Sequence, residues 1–219
     1  MPNPAFRAVL WDFGGVLTES PFEAFRRFER ERVLPADFLR GVNARNPDHN
    51  AWAQLERGEL TLAQFDAAFA EEAHAAGHRV AGSEVVALLY GPIRPAMVTA
   101  LRRCGEHYLN ACVTNNINTG IGHGLPVSDE RAAEVQRVMG LFDLVIESSK
   151  AGVRKPEPAF YRIALESLQV EPAEAVYLDD LGANLKPARA MGMTTIKVDS
   201  AGQALAELGR ALGMRLQDT

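Results

Sequence analysis

The sequence lacks several features that mark particular classes of protein. It has two cysteines in 219 residues, Cys104 and Cys112, with no C-x-x-C pair and no nearby histidine at zinc-finger spacing. No apolar run is long enough to span a bilayer, and the first residues lack the basic stretch and apolar run of a signal peptide. These absences argue against a disulfide-stapled, zinc-finger or membrane-spanning protein. We therefore expect a cytoplasmic protein with reduced cysteines.

An excess of positive charge is also missing. The net charge is -5, and charged residues make up 23% of the chain. Nucleic-acid-binding surfaces normally show as a basic excess, so we expect neither a nucleic-acid partner nor a membrane partner. The chain is 47% hydrophobic, which is enough for one full core and a small accessory domain.

Five short apolar runs, partly β-branched, predict five strands at residues 7–13, 108–114, 142–147, 175–179 and 194–198. None of the runs alternates cleanly between apolar and polar residues, which is typical of strands covered on both faces in a parallel sheet. Helical patterns follow the later runs at residues 157–168, 183–191 and 201–212. This order predicts an α/β fold with right-handed crossovers.

Residues 18–92 break this rhythm because they contain no convincing strand. Their patterns predict helices at residues 21–32, 35–42, 50–58, 61–76 and 83–89. Thr61 and Gln64 fit a capping box at the start of the fourth helix. We therefore predict an all-helical cap at residues 18–92, inserted into a core formed by residues 1–17 and 93–219. The cap is expected to cover the carboxyl edge of the sheet, where α/β proteins bind ligands.

Polar residues recur where the apolar runs end, and parallel strands would gather them at one edge of the sheet. The residues are Asp12, Thr114, Asn115, Lys155, Asp179 and Asp180. Carboxylates are the ligands that Mg²⁺ prefers, and a carboxylate can also attack phosphorus to form an aspartyl-phosphate. A lysine and a hydroxyl can stabilise the transferring oxygens. The set therefore suits phosphoryl transfer.

Four sequence motifs, in order, carry a resemblance to a known family. They are the runs 12–18, 113–115, 152–158 and 177–180, the last followed by 182–189. In these runs the chain resembles the haloacid dehalogenase-like hydrolase superfamily, and the last stretch closely resembles the amino-terminal phosphatase domain of soluble epoxide hydrolases. The resemblance covers essentially the whole chain. It implies a Rossmann-like core, a helical cap and Mg²⁺.

The resemblance also implies a role for each motif residue. Asp12 is implied as the nucleophile and a metal ligand, and Lys155 as the group that neutralises both Asp12 and the phosphoryl oxygens. Thr114 and Asn115 are implied to bind the phosphoryl group with Lys155. The remaining implied metal ligands are Asp180, Asp179 beside it, and the main-chain carbonyl of Gly14.

Gly14 is a departure from the family pattern. Phosphatases of that superfamily usually carry a second aspartate there, which protonates the leaving alkoxide and then activates water. Glycine can do neither. General acid–base catalysis is typically worth about 10²–10⁴-fold. Three alternatives follow: a preference for good leaving groups, a substitute acid such as Glu19 or a cap residue, or phosphate binding with little turnover.

Other functions are weighed against the same residues. A metal-free haloacid dehalogenase also lacks the second aspartate, but the Asp179–Asp180 pair favours Mg²⁺. A phosphonate hydrolase needs a cap lysine, and none of the four lysines lies in the predicted cap. Receiver domains carry their acidic pair after the first strand, whereas here it comes late. We therefore predict a Mg²⁺-dependent phosphatase for a small phosphorylated substrate, with a homodimer left open by analogy. The glycine-rich run 120–124 is predicted to be a loop beside the site.

Overall fold

The computed structural model describes residues 2–89, 91–116 and 129–217, so the predicted loop at 120–124 lies outside the described residues. Five strands form one parallel sheet in the order β3-β2-β1-β4-β5. The strands are β1 (Ala8–Trp11), β2 (Leu109–Thr114), β3 (Leu144–Glu147), β4 (Ala175–Asp179) and β5 (Thr194–Lys197). The predicted α/β fold with a parallel sheet is confirmed.

Helices cover both faces of the sheet, as the continuous apolar strands require. Successive residues of β1 point to opposite faces. Val9 and Trp11 belong to one apolar cluster, whereas Ala8 and Leu10 belong to the other. The first cluster includes residues of α6 (Pro95–Gly105), α7 (Asp129–Met139) and α11 (Ala201–Leu212). The second includes residues of α9 (Pro158–Leu168) and α10 (Gly182–Ala190), and the short α8 (Ser148–Ala151) follows β3.

A helical insertion follows β1 and builds an apolar cluster of its own. It contains α1 (Pro21–Glu31), α2 (Phe38–Ala44), α3 (Ala51–Glu56), α4 (Leu62–Ala75), α5 (Gly82–Val86) and a 3-10 turn at Ala87–Leu89. Phe25, Leu39 and Phe65 are among the side chains that pack together there. The capping box at Thr61 and Gln64 is present as predicted. No helix in the described ranges is long and apolar enough to cross a membrane.

The two chain segments that enter and leave the insertion pair with each other. Thr18 and Ile93 form an isolated antiparallel bridge. The Arg94 N–H donates to the Leu17 carbonyl at 2.8 Å, and the Glu19 N–H donates to the Pro92 carbonyl at 2.8 Å. This pairing supports the proposed division into a core of residues 1–17 and 93–219 and a cap of residues 18–92.

The two thiols are predicted to be inert in the folded protein. Cys104 and Cys112 are both fully buried, and burial raises the pKa of Cys104 to about 12 and that of Cys112 well above its ordinary value. We expect no reaction with Ellman's reagent at pH 8 until urea unfolds the chain, after which both thiols should react. Rapid reaction of either thiol in the folded protein would contradict this burial.

The raised pKa of Cys104 also predicts a pH-dependent stability. Above pH 9 the thiol ionises in the unfolded chain, whereas in the folded chain it stays protonated to about pH 12. The contribution of Cys104 to the free energy of unfolding is therefore complete below pH 9 and falls as the pH rises from 9 to 12. Urea titrations at pH 8 and pH 10.5 should show a larger loss for the wild-type protein than for Cys104→Ala. Equal losses in the two proteins would rule out this contribution.

Candidate active site

Three carboxylates meet where the strand order changes direction, between β1 and β4. Asp12 directly follows β1, Asp179 ends β4 and Asp180 follows it. Carboxylate oxygens of the three residues lie within 4.8 Å of one another. Ligands of open parallel sheets bind in the crevice at this kind of switch point. The predicted gathering of the acidic residues at one sheet edge is therefore what the structure contains.

A tight turn after Asp12 shapes the first side of the site. The Asp12 carboxylate accepts a hydrogen bond from the Phe13 N–H at 2.6 Å. Gly15 has a φ of 75°, and a Cβ there would overlap the Asp180 carboxylate. Gly14 is different: its φ of -69° suits any residue, and nothing lies within 4 Å of an added Cβ. The backbone therefore demands glycine at position 15 but not at position 14.

Lys155 lies between two of the carboxylates. Its ammonium is 2.8 Å from Asp12 Oδ1 and 2.9 Å from Asp179 Oδ2, and the side chain is 1% exposed. Burial acts to lower the pKa of Lys155, but Asp12 and Asp179 raise it above its usual value. Burial raises the pKa of Asp12 well above its usual value, and the charges of the other two carboxylates raise it further. Lys155 acts in the opposite direction and lowers it. The lysine is therefore held as a cation.

Asp179 is surrounded by hydrogen-bond donors of the protein. Besides Lys155, it accepts hydrogen bonds from the Leu181 N–H at 2.7 Å, the Asn184 amide at 3.1 Å and the Tyr177 hydroxyl. Both of its oxygens take part. Such a carboxylate is well suited to fixing the lysine in place.

Asp180 is less enclosed by protein donors. The Ser20 hydroxyl donates to Asp180 Oδ2 at 3.0 Å. Burial and the charge of Asp179 raise the pKa of Asp180, partly offset by the bond from Ser20. Ser20 lies directly before α1, so the start of the cap reaches the carboxylate cluster.

Asn115 joins the end of β2 to the loop that carries Lys155. Its Oδ1 accepts the Lys155 N–H at 2.8 Å, and its Nδ2 donates to the Lys155 carbonyl at 3.0 Å. The same Nδ2 is 3.1 Å from Glu56 Oε2 in the cap. Thr114, the residue before Asn115, is buried and also lines the site. The role of these two residues in phosphoryl binding stays a prediction.

A cavity of about 890 Å³ opens above the cluster, between the sheet edge and the cap. The predicted site residues on its wall are Asp12, Gly14, Thr114, Asn115, Lys155 and Asp180. The cap contributes apolar side chains, among them Phe22, Phe25 and Trp52. Glu19 is exposed and is not among the described residues that line the cavity, so the structure gives no support to it as a substitute acid.

Several residues at the site carry no role in the sequence-based prediction. They are Ser20, Glu56, Arg154, Tyr177 and Asn184. Arg154, Tyr177 and Asn184 lie within the recognised motif runs, so their position was a usable signal. Ser20 and Glu56 lie in the cap region, where no motif marks them. Only the folded structure brings those two to the sheet edge.

The donor set fits a divalent cation of the Mg²⁺ type. The cluster holds three carboxylates around the Lys155 ammonium, and such an arrangement favours a further positive charge. All the candidate donors are oxygens, which Mg²⁺ prefers, and no thiol or imidazole is part of the cluster among the described residues. Of the three clustered carboxylates, Asp12 and Asp180 line the cavity.

The carboxylate cluster under a helical cap defines a capped α/β enzyme. A comparison with protein families is more specific, because the family described as haloacid dehalogenase-like hydrolase matches residues 6–192. The chain therefore belongs to the haloacid dehalogenase-like hydrolases, as its motifs indicate.

Individual relatives agree with this assignment. The chain is 33% identical to bifunctional epoxide hydrolase 2 of Mus musculus over 98% of its own length, but it spans only 40% of that protein. It is 27% identical to the sesquiterpene phosphatase astK of Aspergillus oryzae, over 95% of this chain and 97% of that protein. A haloacid dehalogenase-family enzyme from Bacteroides thetaiotaomicron, solved with magnesium and inorganic phosphate, has the same fold. Its TM-score is 0.62 at 20% identity, covering 93% of this chain and 98% of that chain.

The two adjacent glycines provide a matched pair of substitutions. Gly15→Ala should lower the free energy of unfolding by about 1–3 kcal/mol, because it forces a strained φ and a clash with Asp180. Gly14→Ala should leave stability within about 0.5 kcal/mol of the wild-type value, since its Cβ meets nothing. Urea unfolding of the three proteins measures both effects. Similar losses in both variants would contradict the geometry of this turn.

Proposed function

We propose that the protein is a Mg²⁺-dependent phosphatase that hydrolyses a small phosphorylated metabolite through an aspartyl-phosphate on Asp12. The observation that carries the proposal is the buried Asp12, paired at 2.8 Å with Lys155 at the floor of a capped cavity. The phosphatase activity named for the Aspergillus relative, and the magnesium and phosphate in the Bacteroides enzyme, support the same chemistry. The predicted cytoplasmic location and open oligomeric state stay predictions.

Asp12, Asp180 and the main-chain carbonyl of Gly14 are the groups that we assign to the metal. Asp179 is part of the predicted ligand set and lies within the same cluster. Because its oxygens already accept several hydrogen bonds, we assign it mainly to holding Lys155. When bound, Mg²⁺ supplies positive charge that neutralises the phosphoryl oxygens and draws them toward the nucleophile.

In the proposed reaction an Asp12 carboxylate oxygen attacks phosphorus, and the bond between phosphorus and the ester oxygen breaks. Lys155 stabilises the charge on the transferring oxygens, and Thr114 and Asn115 form the neighbouring wall of the phosphoryl site. The leaving oxygen takes its proton from water. The hydroxide left by that water accepts a proton from a second water as the second water attacks phosphorus. The bond between phosphorus and the Asp12 oxygen then breaks, which releases inorganic phosphate and regenerates the Asp12 carboxylate.

Gly14 limits which leaving groups can depart. Besides Asp12 and Asp180, the acidic residues among the described cavity-lining positions are Glu56 and Glu147. Glu56 accepts hydrogen bonds from Arg154 and Asn115, and Glu147 accepts one from Asn116 and pairs with Lys150. Both carboxylates are therefore engaged as acceptors rather than poised to donate a proton. This favours acyl, anomeric or other phosphates whose leaving group needs no protonation.

The cap side of the cavity bears on the rest of the substrate. Phe22, Phe25, Trp52 and Leu89 line it beside the polar residues Arg40, Asn43 and Asn50, so the part of the substrate beyond the phosphate would meet a largely apolar surface with a few polar groups. Apolar contact of this kind stabilises binding in proportion to the area buried. Among phosphates with good leaving groups, this wall therefore favours one with an apolar body, such as an acyl phosphate, over a polar anomeric sugar phosphate.

The charge of the site weighs against the dehalogenase alternative. A haloacid substrate brings a carboxylate of its own next to Asp12, Asp179 and Asp180, which already lie within 4.8 Å of one another. Like charges at this distance repel strongly in a buried site. A phosphate bound together with Mg²⁺ avoids that repulsion because the metal cancels charge.

The proposed function predicts that phosphate release requires both Asp12 and Mg²⁺. Asp12→Asn should lower the release rate by about 10³-fold or more, since removal of a nucleophile abolishes the covalent step. EDTA should abolish release by the wild-type protein, and added Mg²⁺ should restore it. Release of phosphate is measured over a panel of acyl, sugar, nucleotide and lipid phosphates. Activity that survives either change, or no activity on any substrate, would overturn the proposal.

Gly14→Asp is predicted to widen the range of leaving groups. The backbone at position 14 accepts an aspartate without strain, and its Cβ enters open space. We expect the rate on an alkyl phosphate to rise by about 10²-fold, while the rate on an acyl phosphate changes little. Gly14→Asn is the matched control because it has the same shape without a transferable carboxyl proton. Equal gains in both variants would show that the missing acid does not limit turnover.

A further inference from the structure

Glu56 is a cap residue, but most of the hydrogen bonds that its carboxylate accepts come from residues of the core. It ends α3 and is buried at 8% exposure. Its Oε2 accepts hydrogen bonds from Arg154 Nε at 2.5 Å and from Asn115 Nδ2 at 3.1 Å, both from core loops. Its Oε1 accepts a hydrogen bond from Trp52 Nε1 of the cap at 3.0 Å. The carboxylate is therefore held from both sides of the cavity.

Asn115 extends this contact into the reaction centre. Its amide holds both the N–H and the carbonyl of Lys155, at 2.8 and 3.0 Å. The Lys155 ammonium in turn lies 2.8 Å from Asp12. A continuous path of hydrogen bonds thus runs from Glu56 in the cap, through Asn115, to the Lys155 backbone.

Other contacts also seat the cap, but those described do not involve Asn115. Arg154 Nη1 donates to the Pro47 carbonyl at 3.1 Å, and Arg57 lies 3.8 Å from Glu157. The backbone at Gly58 packs closely on the Ser149 carbonyl. These contacts also attach the cap to the core. Glu56 differs because it also touches the residue that orients the lysine.

We propose that Glu56 is a positioning residue that couples the seating of the cap to the alignment of Asn115 and Lys155. When the cap is seated, the charged acceptor fixes the Asn115 amide, and the amide fixes the Lys155 loop. Buried hydrogen bonds to a charged group are stronger than neutral ones, so the link is stiff. The expected effect of Glu56 on turnover rests on the proposed phosphatase function, whereas its expected effect on the order of the Lys155 loop does not.

Three variants separate positioning from simple cap attachment. Glu56→Ala removes the acceptor altogether. Glu56→Gln keeps the shape but has one carbonyl oxygen to serve donors on two sides, and it guards against a folding defect in the alanine variant. Glu157→Gln is the matched control because it weakens the neighbouring contact with Arg57 without touching Asn115.

The first measurement is the hydrogen exchange rate of the Lys155 backbone amide, followed by NMR. We expect exchange to be about tenfold faster in Glu56→Ala, intermediate in Glu56→Gln and within about twofold of wild type in Glu157→Gln. The Leu10 amide in the central strand serves as the internal reference for global unfolding. An unchanged rate in Glu56→Ala, or equal acceleration in Glu157→Gln, would overturn the proposal.

The second measurement is hydrolysis of p-nitrophenyl phosphate with Mg²⁺. We expect kcat to fall about tenfold or more in Glu56→Ala with a smaller change in KM, and to stay within about twofold in Glu157→Gln. Faster Lys155 exchange with an unchanged kcat would reject the catalytic role of the link. If the wild-type protein releases no phosphate from any substrate, the phosphatase function fails, and the exchange rates alone decide whether Glu56 orders Lys155.

Discussion

The buried ammonium of Lys155 is the interaction on which the site depends. A charged amine that is 1% exposed is tolerated only with charged or strongly polar partners at hydrogen-bond distance, and Asp12 and Asp179 provide them. Asp179 then needs its own donors, which come from Tyr177, Leu181 and Asn184. The parallel pairing of β1 with β4 brings these groups together. The polar network and the sheet topology therefore support each other.

The two adjacent glycines show how one dipeptide can combine different constraints. Glycine is required at position 15, because the positive φ there and the nearby Asp180 leave no room for a side chain. Glycine is not required at position 14, because the dihedral angles and the surroundings there accept larger residues. The absence of a carboxyl at position 14 is therefore a chemical property of this protein and not a consequence of its fold.

Much of the fold could be predicted from the sequence, because buried strands appear as continuous apolar runs and cap helices are bounded by glycine, proline and capping residues. Helices α6 and α7 were not predicted. The helical spacing of Met97, Leu101 and Cys104 in α6 was a usable signal that the prediction did not use, whereas α7 is largely polar. The motif residues were found by their order along the chain. Glu56 could not be found in this way, because its contact with Asn115 joins positions 59 residues apart.

The antiparallel bridge between Thr18 and Ile93, where the chain enters and leaves the cap, has a consequence for the order of folding. During synthesis β1 emerges before β2 and β4, so Ala8 must wait for Leu109 of β2 and Ala175 of β4 before it has strand partners. Helices α3, α4 and α5 contact one another in chain order and share the apolar cluster of the cap, so they can form while β1 is still unpaired. A folded cap also brings residues 18 and 93 together, which shortens the effective loop between β1 and β2. The folded insertion thus acts as a preformed turn between β1 and β2, which favours the pairing of these strands.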